Sequence, residues 1–507
     1  HLEVAAEGPL TLADLRSSRL ATGLGGTQPQ RSGTQSNGNG GSGGGGMGGS
    51  AADAAAVGCL EGLAALSLKG LQDGCDLAQK TVAALLANRK EAHARVTLEE
   101  LQSVHLASLD FAQSLEELAG RGGGLSCYGL RSLLHAQAKH LLEVKQEQNL
   151  TNLAAALDSE KWTQADVSYE RQALLDRLAS GGAFLGNRGD KGQVSGGLGR
   201  SAARGGTAHR PGSSKREAND ALVDGSKFKV VWSALLLVEM IALLLSFAAQ
   251  FPTLATDVLT RLVELVRLFN SKATQLVLLA GALHSGARLS KITAKHLALT
   301  SQSLGLCLAL LPHLRAALCA MLPPRQHLLL VDMDRVNQDL LEHHERILSK
   351  LVSFVGEIVE GLARGLENTD WDRGHLASSS SSSSSSVAAS GNSAGDLQGL
   401  AASSGSSGGG SSAFVAEAVK NTSRLHKVLA AQLPPEQVQE IFSRIFELLN
   451  RKVPEYFASV SPSTPAGQQR VLDDVQFLTH SLDRLRGVDA KNLTLEAHFR
   501  KRFPNAR

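Results

Sequence analysis

Long parts of the chain place apolar residues three or four positions apart, which is the spacing that brings them onto one face of an α-helix. The clearest run is 331–366, where an apolar stripe lies opposite a stripe of charged residues. A second two-faced run covers 257–284. Sustained alternation of apolar and polar residues, the pattern of a strand, is absent, so the sequence predicts an all-α protein.

The stretch 291–330 begins with polar and basic residues and then becomes apolar over more than one helix face, which predicts a largely buried helix. Pro312 is expected to kink this helix or to end its first half, because proline has no amide hydrogen to donate. Pro323 and Pro324 are expected to stop the helix before a second amphipathic helix starts. The stretch therefore predicts a helical hairpin with a rigid proline corner.

Tracts rich in Gly, Ser and Arg interrupt the helical pattern. Such tracts cannot bury enough apolar surface to offset their conformational entropy, so they are expected to be disordered. The predicted organisation is a mostly disordered 1–53, a helical bundle over 54–178, a disordered basic linker over 179–224, a bundle with the proline corner over 225–372, a disordered poly-serine insertion over 373–412, and a C-terminal bundle over 413–507 that packs on 225–372.

Two local signals refine the first bundle. Thr97 and Glu100 have the spacing of a capping box, in which each side chain accepts from the other residue's backbone amide at a helix start. Trp162, in a polar segment after the bundle, is expected to pack over the bundle end.

The apolar segment 230–249 has 20 residues, about the length that spans a bilayer. Its apolar side chains favour insertion by roughly 5 kcal/mol, and a central acid such as Glu239 costs about 3 kcal/mol. Hydropathy therefore leaves a membrane span and a buried core helix both open. The leucine-rich yet two-faced helices that follow favour the buried helix.

Composition and motifs provide little chemistry. The formal charge of +3 gives no reason to expect nucleic-acid binding, and five scattered cysteines without a CxxC pair suggest a reducing, cytosolic compartment. The sequence contains no P-loop, no HExxH, and no GxSxG in an ordered elbow. His343 and His344 are adjacent on a helix and point about 100° apart, so they are not expected to share a metal. A helical hydrolase would need a constellation of polar catalytic residues, and the sequence shows none. The prediction is therefore a protein without catalytic residues, cofactor or metal.

Three basic residues are the candidates for binding. Lys291, Lys295 and Arg325 are expected to cluster near the helix entry and the proline corner, facing a partner or an anionic head group. The alternative is that they are ordinary solubilising charges.

Four blocks of sequence resemble a known family. They are LDSEKWTQADV at 157–167, LTRLVELVRLFNSKATQLVLLAGALHSGARL at 259–289, KITAKHLALTSQSLGLCLALLPHLRAALCAMLPPRQ at 291–326 and DDVQFLTHSLDRLRGVDAKNLTLEAHFRKR at 473–502. In this order they resemble the C-terminal core of the vacuolar protein sorting-associated protein fifty-four family, a subunit of the Golgi-associated retrograde protein complex (GARP).

The resemblance implies the elongated helical rod of stacked bundles found in tethering-complex subunits. It also implies a function: tethering endosome-derived vesicles at the trans-Golgi network, by protein and membrane binding without catalysis. The expected partners are the other GARP subunits and SNARE proteins, with small GTPases and an anionic membrane surface as further candidates. The expected location is peripheral, on the cytosolic face of the trans-Golgi network and endosomes.

Two features depart from the family pattern. The Gly/Ser-rich insertions are long, and the N-terminal coiled-coil region by which family members assemble is not apparent, so an N-terminally truncated chain is expected. The alternative function is that of a membrane-anchored all-helical protein with a span at 230–249.

Overall fold

The computed structural model describes residues 49–119, 126–180, 219–279, 281–283, 286, 289, 291–367, 369–372, 411–504 and 506. These residues form thirteen α-helices and one two-stranded hairpin, which confirms the all-α prediction. Most of the tracts predicted to be disordered, namely 1–48, 181–218 and 373–410, lie outside the described residues.

The first helices are α1 (Gly49–Asn88), α2 (Lys90–His93), α3 (Leu98–Ala119), α4 (Tyr128–Asp158) and α5 (Tyr169–Ala179). A hairpin follows, formed by β1 (Ala221–Val223) and β2 (Ser226–Phe228). The central helices are α6 (Trp232–Gln250), α7 (Ala255–Ala273), α8 (Ala294–Met321) and α9 (Val331–Glu367). The last are α10 (Ala413–Gln432), α11 (Pro435–Phe457), α12 (Pro465–Asp483) and α13 (Leu495–Arg502). Short 3₁₀ turns cover Pro252–Leu254, Gly281–Leu283 and Pro324–Leu330, and a π-turn covers Thr274–Leu278.

The chain forms two compact units, His1–Gly70 and Leu71–Arg507. In the first unit the described residues belong to α1, and their leucines are exposed to solvent, for example Leu60 and Leu63. The second unit carries the hydrophobic core. A small cluster joins α1, α3 and the start of α4 around Cys75, Leu115 and Leu130.

One large hydrophobic cluster runs through the second unit, from Leu98 at the start of α3 to Phe499 in α13 and Phe503 after it. It contains residues from each of the three predicted bundles. The C-terminal helices α10 and α11 pack on α9. Helices from all three predicted bundles thus contribute to one core, while α1 packs in the smaller cluster.

The capping box predicted at the start of α3 is present. The Thr97 amide donates to Glu100 Oε2 at 2.8 Å, and the Glu100 amide donates to Thr97 Oγ1 at 3.2 Å. The Thr97 hydroxyl also donates to Glu100 Oε2, at 3.0 Å, and the hydrogen bonds from the Thr97 amide and hydroxyl lower the pKa of the Glu100 carboxyl. Glu100 is thus charged beside the positive end of the helix dipole, where an anion is favourable.

Pro312 was predicted either to kink its helix or to end the first half of it. It does not end the helix, because α8 runs unbroken from Ala294 to Met321. A proline inside a helix costs about 3 kcal/mol. Leu310, Leu311 and Leu314 around it are at most 4% exposed. Burial of each such leucine contributes about 1.5–3 kcal/mol, so packing outweighs the proline. The helix ends before Pro323 and Pro324, as predicted.

The structure shows 230–249 as a core helix. By length and composition α6 and α8 could each cross a membrane, but 67% and 44% of their most apolar windows are buried inside the protein. Glu239, the acid in the middle of α6, accepts a hydrogen bond from Arg171 Nε of α5 at 2.7 Å. The Arg171 guanidinium also lies 4.2 Å from the centroid of the Trp232 ring. The polar side of α6 thus has its partners within the chain.

Part of the predicted linker 179–224 is ordered, which corrects that prediction. β1 pairs with β2 in antiparallel register, with Val223 opposite Ser226. Asp224 and Gly225 have φ values of 50° and 77°, as expected of a two-residue hairpin turn, where Asp-Gly is favoured. Three-residue strands are too short to show alternation, which is why the pattern missed them. The predicted insertion 373–412 likewise ends in order, since the amide of buried Ser412 donates to Asp474 at 2.6 Å.

A buried polar layer crosses the core at the first half of α8, which the sequence did not predict. Ser301, Gln302 and Ser303 are at most 1% exposed. Ser301 Oγ lies 2.9 Å from His344 Nε2 of α9, and Gln302 Nε2 donates to Gln437 Oε1 of α11 at 2.9 Å. Ser303 Oγ accepts from the Val231 amide before α6 at 3.2 Å. The layer fixes α8 against three other elements at once.

The adjacent histidines of α9 contact different helices, so they do not form a shared site. His344 faces Ser301 of α8, while His343 Nδ1 lies 2.7 Å from Asn270 Oδ1 of α7. His343 is 2% exposed, and burial, together with nearby Arg346 and His344, lowers its pKa from 6.5 to about 4.

Trp162 is 1% exposed and belongs to the main core, in agreement with the packing role predicted for it. The preceding Glu160 is also buried, and its carboxylate accepts from the Trp162 amide at 3.2 Å and from the Ser233 amide at 2.9 Å. Ser233 lies in the first turn of α6, so Glu160 caps the most apolar helix of the core.

We expect Glu160→Ala to lower the free energy of unfolding by about 3 kcal/mol, because it leaves two buried amides without an acceptor. Urea unfolding followed by circular dichroism measures this change. Glu147→Ala, at an exposed position of α4, is the matched control, with an expected change within about 0.5 kcal/mol. Equal losses in the two variants would contradict the capping role.

We expect the free energy of unfolding to fall as the pH drops from 6.5 towards 4, because the folded-state pKa of His343 lies below its unfolded value. In this window the unfolded state binds more protons than the folded state. The stabilisation that comes from neutral His343 is complete above pH 6.5 and is lost as the pH falls towards 4. His343→Gln retains a hydrogen-bonding group that does not titrate. Between pH 6.5 and 4 the free energy of unfolding of this variant should therefore fall by up to about 3 kcal/mol less than that of the wild type. Urea unfolding at several pH values tests this, and parallel curves for both proteins would refute it.

Candidate functional site

The structure does not bring the three predicted binding residues together. Lys291 is half-buried before α8, Lys295 is exposed in the first turn of α8, and Arg325 is exposed beyond its end. An α8 of 28 residues is about 42 Å long, so Lys295 and Arg325 lie at opposite ends of it. The expected cluster of all three residues is therefore not formed, because one continuous helix separates Lys295 from Arg325. A binding role for each residue remains a prediction.

Arg325 is part of a distinctive surface at the proline corner. Leu328 is 81% exposed, and Leu329 and Val331 are 40% and 46% exposed. These are bulky aliphatic side chains, and they lie next to the exposed prolines that end α8. We call the following set the corner surface: Pro323, Pro324, Arg325, Leu328, Leu329 and Val331.

Buried side chains hold this corner in place. Leu322 and Leu330, at its two ends, are 4% and 1% exposed. His327 Nε2 lies 3.0 Å from the carbonyl oxygen of Leu322, within hydrogen-bonding distance across the turn. Gln326 Oε1 accepts from the Thr256 hydroxyl at 2.7 Å, which ties the corner to the first turn of α7. The corner surface is thus a fixed part of the core hairpin.

The corner carries an excess of positive charge. Residues 322–331 contain Arg325 and His327 but no acid. The nearest acids along the chain have partners: Asp332 accepts from Arg335 at 3.1 Å, and Asp334 accepts from Arg315 at 2.8 Å. Arg325 forms no ion pair within the part of the chain that the structure describes. The result is a small apolar surface with one uncompensated cation.

The arrangement suits binding better than bond chemistry. Among the described residues no three His, Cys, Asp or Glu side chains lie close enough to hold a metal ion. Burial raises the pKa of the Cys307 thiol to about 12, so it is not a nucleophile at neutral pH. Cys319 lies 3.9 Å from the ring nitrogens of His327, a packing distance near the corner. Nothing at the corner combines a nucleophile with a base and an orienting group.

Sequence reasoning selected Arg325 but missed the leucines, although a signal was present. Three consecutive leucines follow the prolines. The 3₁₀ geometry has three residues per turn, so successive side chains point in three different directions. Only one of the three can then enter the core, and here it is Leu330.

We expect Leu330→Asp to destabilise the chain by about 3 kcal/mol or more, because it buries a charge. Leu328→Asp should change the free energy of unfolding by no more than about 0.5 kcal/mol, since that side chain lies in water. Urea unfolding of both variants gives the comparison. A large loss in Leu328→Asp would show that Leu328 packs against the protein.

Comparison with known proteins identifies the relatives of the chain. Residues 225–357, which hold α6 to most of α9 and the corner surface, match the family described as Vps54-like protein. The chain is 28% identical over 405 residues to human Vacuolar protein sorting-associated protein 54, covering 78% of this chain and 35% of that protein. It is 25% identical over 469 residues to Vacuolar protein sorting-associated protein 54, chloroplastic, of Arabidopsis thaliana, covering 82% and 42%.

The chain spans about a third to two fifths of the length of these curated relatives. No solved structure gives a significant match. The Drosophila melanogaster Vacuolar protein sorting-associated protein 54 aligns over 73% of this chain at 24% identity, so the similarity extends well beyond the matched domain. The chain is thus similar to the Vps54-like family over 225–357, and at 25–28% identity it resembles the named Vps54 relatives over most of its length.

Proposed function

We propose that this chain is part of a subunit of the GARP complex that tethers endosome-derived vesicles at the trans-Golgi network in retrograde transport. The match of 225–357 to the Vps54-like family, within an alignment over most of the chain, carries this proposal. The names of the curated relatives place them in vacuolar protein sorting. The proposed location is the cytosolic face of the trans-Golgi network and endosomes, as a peripheral membrane protein.

The mechanism proposed is binding and positioning. α9 has 37 residues and is therefore about 55 Å long, and it packs along α8, α10 and α11. A long helix supported on several sides holds its ends at a fixed separation, which is what a tether requires. The proposed partners are the other GARP subunits and SNARE proteins, with small GTPases and an anionic membrane as further partners.

The packing of α6 argues against the membrane-anchored alternative. A span at 230–249 would have to withdraw side chains such as Leu244, Leu245 and Phe247, all 0% exposed, from the protein core. It would also separate Glu239 from Arg171. The proposal therefore treats membrane association as peripheral.

We expect affinity purification of the tagged endogenous protein to recover the other GARP subunits in near-equal amounts, as judged by mass spectrometry. A carbonate wash of membranes should release the protein, because a peripheral tether has no buried span. Absence of these subunits, together with retention in the carbonate pellet, would overturn the proposal in favour of an anchored protein.

A further inference from the structure

We propose that the corner surface is a membrane contact, which inserts Leu328 and its neighbours between the head groups of an anionic bilayer. The inference deepens the proposed tethering function and rests on it. It names the part of the chain that touches the membrane and the lipid chemistry that the contact recognises.

The apolar part of the argument is the exposure of the corner. Leu328, Leu329 and Val331 project from a turn whose anchoring residues, Leu322 and Leu330, remain in the core. The projecting side chains can thus enter the head-group region without disturbing any core contact. Burial of aliphatic side chains at this depth is the usual source of affinity in peripheral membrane binding.

The charge of the corner selects an anionic bilayer. Arg325 has no acidic partner among the described residues, while the neighbouring Asp332 and Asp334 are held by Arg335 and Arg315. An arginine can lay its aliphatic stem along apolar surface and keep its guanidinium at the head groups. Basic residues near an anionic leaflet are attracted to it within a Debye length.

The shape of the corner favours a bilayer over an acidic amphipathic helix. A helix partner requires a groove to receive its apolar face. One cavity lies between α9 and α11 beside Lys350 and Lys452 and another lies inside the core beside Cys307, and no residue of the corner surface lines either of them. The corner is instead a projecting turn at the junction of α8 and α9, close to the turn between α6 and α7. A projecting apolar tip fits a deformable lipid surface.

The test places a fluorescent reporter at the corner of the full chain. Leu328→Trp is mixed with phosphatidylcholine vesicles that contain about 30 mol% phosphatidylserine and bromine-labelled acyl chains, which quench nearby tryptophan. Leu341→Trp is the matched control, because Leu341 is 44% exposed on α9 away from the corner. The native tryptophans contribute the same background to both proteins. We expect quenching for Leu328→Trp and little for Leu341→Trp.

The charge is tested by vesicle sedimentation. Arg325→Glu should lower the vesicle-bound fraction about fivefold at low salt, and vesicles of phosphatidylcholine alone should bind wild type poorly. Arg451→Glu, at an exposed position of α11, provides a matched charge reversal and should leave binding close to wild type.

Three outcomes would overturn the inference. One is failure of the wild-type chain to bind the anionic vesicles. Another is binding with equal quenching in the two tryptophan variants, which would place the contact elsewhere, for example in the basic segment 179–224. The third is loss of a protein partner by Arg325→Glu with vesicle binding intact, which would make the corner a protein interface. Recovery of the GARP subunits needs no lipid, so it tests the proposed function separately.

Discussion

The burial of α8 is the constraint on which the rest of the structure depends. This helix contacts the hairpin, α5, α6, α7, α9 and α10, and no other single element joins the early and late parts of the described chain so extensively. Its apolar residues would be costly in water over most of the helix surface, so neighbours must cover it on several sides. Two of those neighbours, α9 and α10, also anchor the C-terminal helices. The shared core follows from the need to cover one long apolar helix.

Polar groups in this core determine which arrangement of helices is adopted. An apolar helix packs almost equally well in several rotations, whereas a buried hydroxyl or amide left without a partner costs about 1–3 kcal/mol. Gln302 must meet Gln437, and Ser303 must meet the Val231 amide, so α8 has one favourable register. Glu160 adds the same requirement at the start of α6. These bonds contribute modestly to net stability, but they penalise each alternative packing.

The sequence predicted those features that depend on local pattern. Examples are the long amphipathic α9, the capping box at Thr97 and the helix stop at Pro323. It failed where a distant contact decides the outcome: Pro312 is tolerated because of the leucines packed around it, and the hairpin at 221–228 exists because it lies against α5 and α8. Of the corner surface, the sequence predicted Arg325 as a binding candidate but not the exposed leucines. Its cation was visible in the sequence, but which of the three leucines points into the core depends on the turn geometry, and here it is Leu330.

The corner connects this packing to the proposed tethering role. A single turn with one cation gives weak, reversible attachment to a bilayer, and stable attachment normally needs a second contact. When two weak contacts lie on one rigid body, binding of the first raises the effective concentration at which the second meets its target. The overall affinity then exceeds that of either contact alone, provided that both can bind at once. The Thr256–Gln326 bond and the buried leucines fix the corner relative to α7, α8 and α9, so the geometry of simultaneous engagement is built into the core. A weak corner on a rigid support therefore favours membranes that also present a partner of the complex.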